Sequence, residues 1–161
     1  MRFSSLKLKR SGITKRAWFL VIIFFLLLPL CSCSSLPDTA RVIQVIDGDT
    51  ITIEGGYRVR YIGIDTPEVH PDLEAFGVEA WQANRNLVEG REVRLERDVS
   101  EKDKYGRLLR YVWVDDILVN AELVKKGLAR AKAYPPDTKY QDYFEQMEVE
   151  AREAEWGMWA K

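Results

Sequence analysis

The chain has 161 residues, of which 47% are hydrophobic and 30% are charged, and its formal net charge is −1. All 25 acidic residues follow residue 33, but only 18 of the 24 basic residues do, so residues 34–161 carry a net charge of −7. A net acidic domain is not the profile of a general nucleic-acid coat protein. Both cysteines lie at or before residue 33, which excludes a disulfide framework in the remainder.

The first 33 residues have the pattern of an export signal. Residues 1–16 contain six basic residues and no acid, and residues 17–30 are an apolar run of 14. This run is shorter than the ~20 residues of a membrane span and has the length of a signal-peptide core. Cys33 follows a serine, as in a bacterial lipobox, whereas Cys31 follows a leucine. We expect cleavage before Cys33 and lipid on its sulfur, with an uncleaved membrane anchor as the alternative.

Residues 34–39 are a short Ser/Pro tether, and residues 40–161 are expected to form the folded domain. Alternating apolar and polar residues predict five strands, and apolar stripes at helical spacing predict three helices. The predicted strands are 41–46, 49–54, 57–64, 93–96 and 108–114, and the predicted helices are 74–88, a short one capped by Asn120, and one that follows Thr138. This order indicates a mainly β protein of the α+β class, in which helices cover a five-stranded OB-type barrel.

The central stretch is 47–68, which reads DGDTITIEGGYRVRYIGIDTPE and has the pattern of a β-hairpin with a Gly-Gly turn. Asp49 opens its first strand and Asp65 closes its second, so the hairpin brings both acids to one end of the sheet. Such a pair is what a hard cation requires, although either acid alone is typical of a turn. Strict alternation puts Arg60 and Asp65 on opposite faces. A bulge or a release from the ladder near Gly63 is therefore needed if both serve one site.

A second polar cluster lies in residues 102–107, which read KDKYGR. An arginine at the mouth of a strand, here Arg107, can bind a phosphate through two parallel N–H donors. Lys104 adds positive charge, and Tyr105 can donate to a phosphate or stack on a base. A solvated charged loop is the alternative reading of this cluster.

Three blocks of sequence together resemble the signatures of the staphylococcal nuclease (thermonuclease) family. They are DGDT at 47–50, RVRYIGIDTPE at 58–68 and DKYGR at 103–107, and they occur in family order. The pattern VN…LV..GLA from Val119 onward extends the resemblance to about residues 40–160. It implies an OB-fold endonuclease that uses Ca²⁺ and hydrolyses DNA and RNA to 3′-phosphate products. We expect the protein to act as a monomer, outside the cytoplasm, either membrane-anchored or secreted.

The resemblance also implies roles for the acidic residues. Asp49 and Asp65 correspond to the calcium carboxylates, and Thr66 corresponds to the residue that gives its backbone carbonyl to the ion. Glu68 corresponds to the general base that acts on the attacking water. Asp47 corresponds to an acid near the metal that does not bind it directly.

The remaining roles concern the substrate. Arg60 and Arg107 correspond to the arginines that hold the scissile phosphate. Tyr105 corresponds to a substrate-contacting tyrosine, Lys104 is expected to contact substrate beside it, and Tyr134 is expected to stand in for a nucleotide-stacking tyrosine. The loop after Glu68 lacks the basic residues of the type member, and its histidine, His70, has no assigned role.

Two other function classes remain open at this stage. One is a non-catalytic nucleic-acid-binding barrel, which the complete set of site residues disfavours. The other is a membrane-tethered interaction module. This hypothesis is favoured only if the acidic surface of the domain excludes nucleic acid. The salt dependence of nucleic-acid binding separates the nuclease and the binding barrel from the interaction module, because phosphate contacts release counterions and weaken as salt rises.

Overall fold

The computed structural model describes residues 36–69 and 72–161, in which eight strands and three α-helices are found. The strands are β1 (Thr39–Val45), β2 (Thr50–Ile53), β3 (Arg58–Tyr61), β4 (Ile64–Asp65), β5 (Glu92–Glu96), β6 (Leu108–Val114), β7 (Ile117–Leu118) and β8 (Arg130–Ala131). The helices are α1 (Gly77–Val88), α2 (Val119–Lys125) and α3 (Gln141–Glu153), and a 3₁₀ helix follows at Gly157–Trp159.

Five of these strands close into a barrel. The sheet order is β3-β2-β1-β5-β6-β7, and β3 also pairs with β6 in parallel, so that β1, β2, β3, β6 and β5 form a ring. The parallel contact has Val59 opposite Leu108 and Arg60 opposite Leu109. Closure leaves these strands without a free sheet edge. The predicted five-stranded barrel with three helices, of the α+β class and OB type, is confirmed.

The side chains that face inward from each strand fill the barrel. In β2, for example, Ile51 and Ile53 are fully buried, and Val59 of β3 and Val112 of β6 meet them in the same core. Helix α3 adds Phe144, which is also fully buried. Burial of such side chains contributes roughly 1.5–3 kcal/mol each relative to exposure, which holds the barrel without a covalent cross-link.

The predicted strand at 57–64 is divided into two in the structure. Strand β3 ends at Tyr61, a turn containing Gly63 follows, and β4 then leaves the barrel to pair with β8. Gly63 has φ +79°, and a Cβ there would lie 2.6 Å from the ring of Phe144, so the turn requires glycine. The expected release from the ladder near Gly63 is confirmed.

Two helix starts differ from the sequence prediction. Helix α1 begins at Gly77, three residues later than predicted, after Phe76 in a left-handed conformation. The prediction that Asn120 caps α2 is wrong, because the cap position is Leu118. Asn120 is buried inside the first turn, where it accepts a hydrogen bond from the Val112 amide and donates one to the Ile62 carbonyl, both at 2.9 Å. Its amide binds two barrel segments to α2.

The N-terminal predictions concern residues that the structure does not describe. The signal or anchor segment 1–33 and the lipidation site Cys33 lie outside 36–69 and 72–161. Of the tether 34–39, residues 36–39 are described, and Leu36 packs against the barrel core. Within the described part of the chain, no helix is both long enough and apolar enough to cross a bilayer.

Candidate active site

A cleft of about 380 Å³ lies where β3, β4 and the loop before β6 meet. It collects six of the nine site residues that the sequence predicts within the domain: Asp49, Arg60, Asp65, Glu68, Arg107 and Tyr134. Thr66 does not line the cleft, but it is buried and its amide donates to Asp49. Lys104 and Tyr105 do not line the cleft, but they belong to the same loop as Arg107.

Asp49 lies directly before β2, and its side chain is 8% exposed. One of its oxygens, Oδ1, accepts from the Thr50 hydroxyl at 3.1 Å, and Oδ2 accepts from the Thr66 amide at 3.1 Å. Burial raises the pKa of Asp49 to about 7, although Arg60 opposes this shift. A carboxylate whose charge is penalised by burial gains stability from any cation that approaches it.

Arg60 joins the two predicted metal carboxylates. Its Nη2 lies 2.9 Å from Oδ2 of Asp49 and 2.9 Å from Oδ1 of Asp65. Its Nη1 donates to the backbone carbonyls of Tyr61 and Ile64, at 2.7 and 3.0 Å. The turn at Gly63 makes this possible, since it returns Asp65 to the face that Arg60 occupies. The hairpin thus places the two acids and the arginine around one point.

The two aspartates fit a hard cation. One oxygen of each lies 2.9 Å from the same atom, Arg60 Nη2, so the two carboxylates lie close together on either side of this guanidinium. Carboxylate oxygens are the donors that Ca²⁺ prefers, and two of them leave most of its ~6–8 coordination positions for carbonyl, water and phosphate oxygens. Among residues 36–69 and 72–161, no group of three or more His, Cys, Asp or Glu side chains is arranged to hold a metal ion.

Glu68 lies on the exposed loop after β4 and reaches the same cleft. Burial raises its pKa, and the negative charge of Asp47 raises it further. A raised pKa makes a carboxylate a stronger proton acceptor while it is still ionised near neutral pH. Its position depends on helix α1, because a Cβ on Gly77 would lie 2.4 Å from the Glu68 carbonyl oxygen.

Arg107 is positioned by Asp103 of its own loop. The Nε group of Arg107 donates to Asp103 Oδ2 at 2.6 Å, and its backbone amide donates to Oδ1 at 3.0 Å. In the described residues, no hydrogen bond engages its two terminal nitrogens. A guanidinium held by Nε alone keeps its planar fork available for a phosphate.

The predicted substrate residues lie at different distances from the cleft. Tyr134 lines it, while Tyr105 is 72% exposed at its rim. The ring of Tyr105 lies 5.0 Å from Lys104 Nζ and 5.5 Å from Arg107 Cζ. Because these distances are within cation–π range, the tyrosine and the two basic residues form one surface. His70 lies outside the described residues.

Sequence reasoning missed two residues that contact this site. Lys132 donates to Asp65 Oδ2 at 2.7 Å, and Asn84 donates to the Asp47 carbonyl at 3.1 Å. Asn84 shares the buried face of α1 with Ala80 and Val88, so a polar residue within an apolar stripe was the signal that could have identified it. The sequence carries no comparable signal for Lys132, because its contact with Asp65 depends on the pairing of β4 with β8.

Comparison with known proteins places the chain in a family. The profile described as "Staphylococcal nuclease homologue" matches residues 58–161. The thermonuclease of Staphylococcus intermedius is 45% identical over 130 residues, which is 77% of this chain and 77% of that protein. The thermonuclease of Staphylococcus hyicus is 43% identical over 129 residues, which is 76% of each chain.

A third relative has a longer chain. Endonuclease YncB of Bacillus subtilis (strain 168) is 43% identical over 126 residues, which cover 73% of this chain and 60% of the relative. Thermonuclease and endonuclease relatives at this identity confirm the prediction that the protein is an enzyme of the nuclease class. With the family profile matched over residues 58–161, the chain belongs to the staphylococcal nuclease family.

Proposed function

We propose that the protein is a Ca²⁺-dependent endonuclease that hydrolyses phosphodiester bonds of DNA and RNA and leaves 3′-phosphate ends. The observation that supports this most directly is that Asp49 and Asp65 lie together, each 2.9 Å from Arg60 Nη2, in the cleft that Glu68 and Arg107 also line. The names of the relatives support the reaction class. The active form included in this proposal is a monomer.

The main obstacle to hydrolysis is the negative charge of the phosphodiester, which repels a nucleophile. Arg107, with its Nε anchored to Asp103, presents two parallel donors to the phosphate oxygens. Arg60 is the second arginine assigned to the phosphate. Its Nη1 donates to two carbonyls and its Nη2 pairs with Asp49 and Asp65, so its guanidinium lies in the cleft beside the proposed metal ligands. Of the two, Arg107 is the one whose terminal nitrogens are already oriented, and such donors stabilise charge in the transition state without reorganisation.

Glu68 is assigned as the general base. Its carboxylate removes a proton from the attacking water, a step worth roughly 10²- to 10⁴-fold in rate when the base is positioned. Asp49, Asp65 and the Thr66 carbonyl are the groups that would hold the calcium ion. When bound there, the ion supplies polarisation of a phosphoryl oxygen and orientation of the substrate. The 3′-phosphate product corresponds to cleavage of the bond between phosphorus and the 5′ oxygen.

Three residues are assigned to the nucleotides on either side of the scissile bond. Tyr134 lines the cleft and offers a ring for a base, while Tyr105 and Lys104 form the exposed rim next to Arg107. Stacking of one base on an aromatic ring is worth about 1–3 kcal/mol and tolerates any base. This supports activity on both DNA and RNA.

The test is digestion of single-stranded DNA, duplex DNA and RNA by the purified protein with Ca²⁺, with Mg²⁺ or with a calcium-selective chelator. We expect cleavage with Ca²⁺ only, and fragments that a polymerase extends only after phosphatase treatment. Asp49→Asn should abolish the cleavage, while Asp116→Asn, a change at an exposed acid away from the cleft, should not. Binding without cleavage by folded protein would instead favour the non-catalytic nucleic-acid-binding barrel.

The proposal includes a position outside the cytoplasm, with the protein tethered through lipid on Cys33. The basic flank, the apolar run of 14 residues and the serine before Cys33 support it. Metabolic labelling with a fatty-acid analogue should mark the protein, and Cys33→Ser should remove the label while Cys31→Ser retains it. Unlabelled protein of full-length mass in the membrane fraction would favour the uncleaved anchor, and release into the medium would favour secretion.

A further inference from the structure

Lys132 is a charged residue at the proposed metal site that none of the family blocks contains. Its Nζ donates to Asp65 Oδ2 at 2.7 Å, and its side chain is 49% exposed. The position follows from the pairing of β4 with β8, in which Ile64 lies opposite Ala131. Lys132 comes next in the chain, and its amide donates to the Gly63 carbonyl at 2.9 Å. Residues 63–65 and Lys132 are thereby held side by side.

The two proposed ligands differ in their surroundings because of this lysine. Asp65 has a positively charged donor on each oxygen: Arg60 Nη2 at 2.9 Å from Oδ1, and Lys132 at 2.7 Å from Oδ2. Within residues 36–69 and 72–161, Asp49 has only Arg60 as a charged partner, and its other bonds come from a hydroxyl and an amide. A cation that binds Asp65 must therefore share the carboxylate with an ammonium group and experience its repulsion.

We propose that Lys132 sets the calcium affinity of the site by competing with the ion for Asp65. The inference rests on the proposed function, since it takes Asp49 and Asp65 as calcium ligands. Arg60 is 12% exposed, and the bonds from its Nη1 to two carbonyls hold its guanidinium in place. Lys132 is half exposed on a flexible stem and can leave at small cost. Its charge therefore weakens calcium binding without being required for the fold of the cleft.

The experiment is calorimetric titration of the purified full-length protein with CaCl₂ in the absence of nucleic acid. Lys132→Met removes the charge and should lower the Kd for calcium about threefold to tenfold, since the competing pair is partly exposed. Lys132→Gln is a second neutral variant and should do the same. Lys132→Arg keeps the charge and should bind calcium within about twofold of the unaltered protein.

Lys126→Met is the matched control. Lys126 directly follows helix α2, is 47% exposed and pairs with Glu122 of that helix at 2.9 Å, so it has the same kind of ion pair away from the cleft. Its removal should leave the Kd unchanged. If the unaltered protein binds calcium but both neutral variants at Lys132 bind it equally or more weakly, the inference is overturned and the proposed function stands. If the unaltered protein does not bind calcium, the proposed metal site is overturned together with the inference.

Discussion

Asn84 donates a hydrogen bond from Nδ2 to the backbone carbonyl of Asp47 at 3.1 Å, which joins helix α1 to the loop that carries Asp49. The Oδ1 atom of Asn84 accepts from the Tyr61 hydroxyl at 2.8 Å. Asp47 in turn accepts from the Asp49 amide at 3.0 Å through Oδ1. The side-chain amide of Asn84 therefore connects helix α1 to strand β3 and to the loop of Asp47 and Asp49. Both Asn84 and Tyr61 are buried.

Asn84→Ala should destabilise the protein. The variant leaves the buried Tyr61 hydroxyl and the Asp47 carbonyl without a partner, and one such unsatisfied group costs about 1–3 kcal/mol. The measurement is the free energy of unfolding by denaturant. Asn86→Ala is the control, since Asn86 is an exposed asparagine of the same helix and should change this free energy by less than about 0.5 kcal/mol. If both variants lost the same free energy of unfolding, the loss would come from a general effect on helix α1 and not from the hydrogen bonds of Asn84 to Tyr61 and Asp47.

Glu68→Gln should keep the fold and lose most turnover. An amide occupies the same volume but cannot accept the proton of the water, so kcat should fall by roughly 10²- to 10⁴-fold. The measurement is kcat on a single-stranded oligonucleotide, together with a thermal melt. Glu54→Gln, at the exposed end of the β2–β3 hairpin, provides the comparison and should retain full kcat. Unchanged kcat in Glu68→Gln would remove Glu68 as the base.

Arg107→Lys should lower kcat/KM about tenfold or more, because an ammonium cannot replace two parallel donors on a phosphate. The lysine also cannot reproduce the bond from Nε to Asp103 that orients the guanidinium. The same measurement on Arg97→Lys is the control, since Arg97 is an exposed arginine that pairs with Glu101. Wild-type kinetics in the Arg107 variant would show that this residue is peripheral to the reaction.

The stability of the protein should depend on pH through Glu101. Hydrogen bonds from Arg110, and then from Arg97, hold the pKa of Glu101 below its ordinary value of 4.5. Because the pKa is lower in the folded state than in the unfolded chain, this carboxylate stabilises the fold above its ordinary pKa. That stability is lost as the pH falls through the folded-state pKa.

Glu101→Gln should therefore reduce the slope of unfolding free energy against pH on the acid side. Glutamine keeps an acceptor for Arg110, whose guanidinium is buried, but does not titrate. The measurement is denaturant unfolding at about pH 6 and about pH 3.5, with Glu92→Gln as a variant at an exposed acid. If the slope is the same in Glu101→Gln and in the unaltered protein, the ion pair does not contribute to acid sensitivity.

Much of the site is local in sequence and could be predicted for that reason. A hairpin is formed by neighbouring residues, so its alternation and its Gly-Gly turn are enough to pair β2 with β3 and to bring Arg60 next to Asp49. The same alternation showed that Arg60 could reach Asp65 only after a break near Gly63, where the structure has the turn between β3 and β4. Residue types alone indicated the chemistry of carboxylates and guanidinium groups.

Other features depend on contacts between distant parts of the chain. The parallel pairing of β3 with β6 closes the barrel and brings the loop of Arg107 to the hairpin. The contact between Lys132 and Asp65 joins residues 67 positions apart, and that between Asn120 and Ile62 joins residues 58 apart. Local patterns determine which residues can form a strand, a turn or an acid pair. Which distant side chains meet is decided only when the whole core packs, because that packing sets the position of every strand and the rotation of every helix.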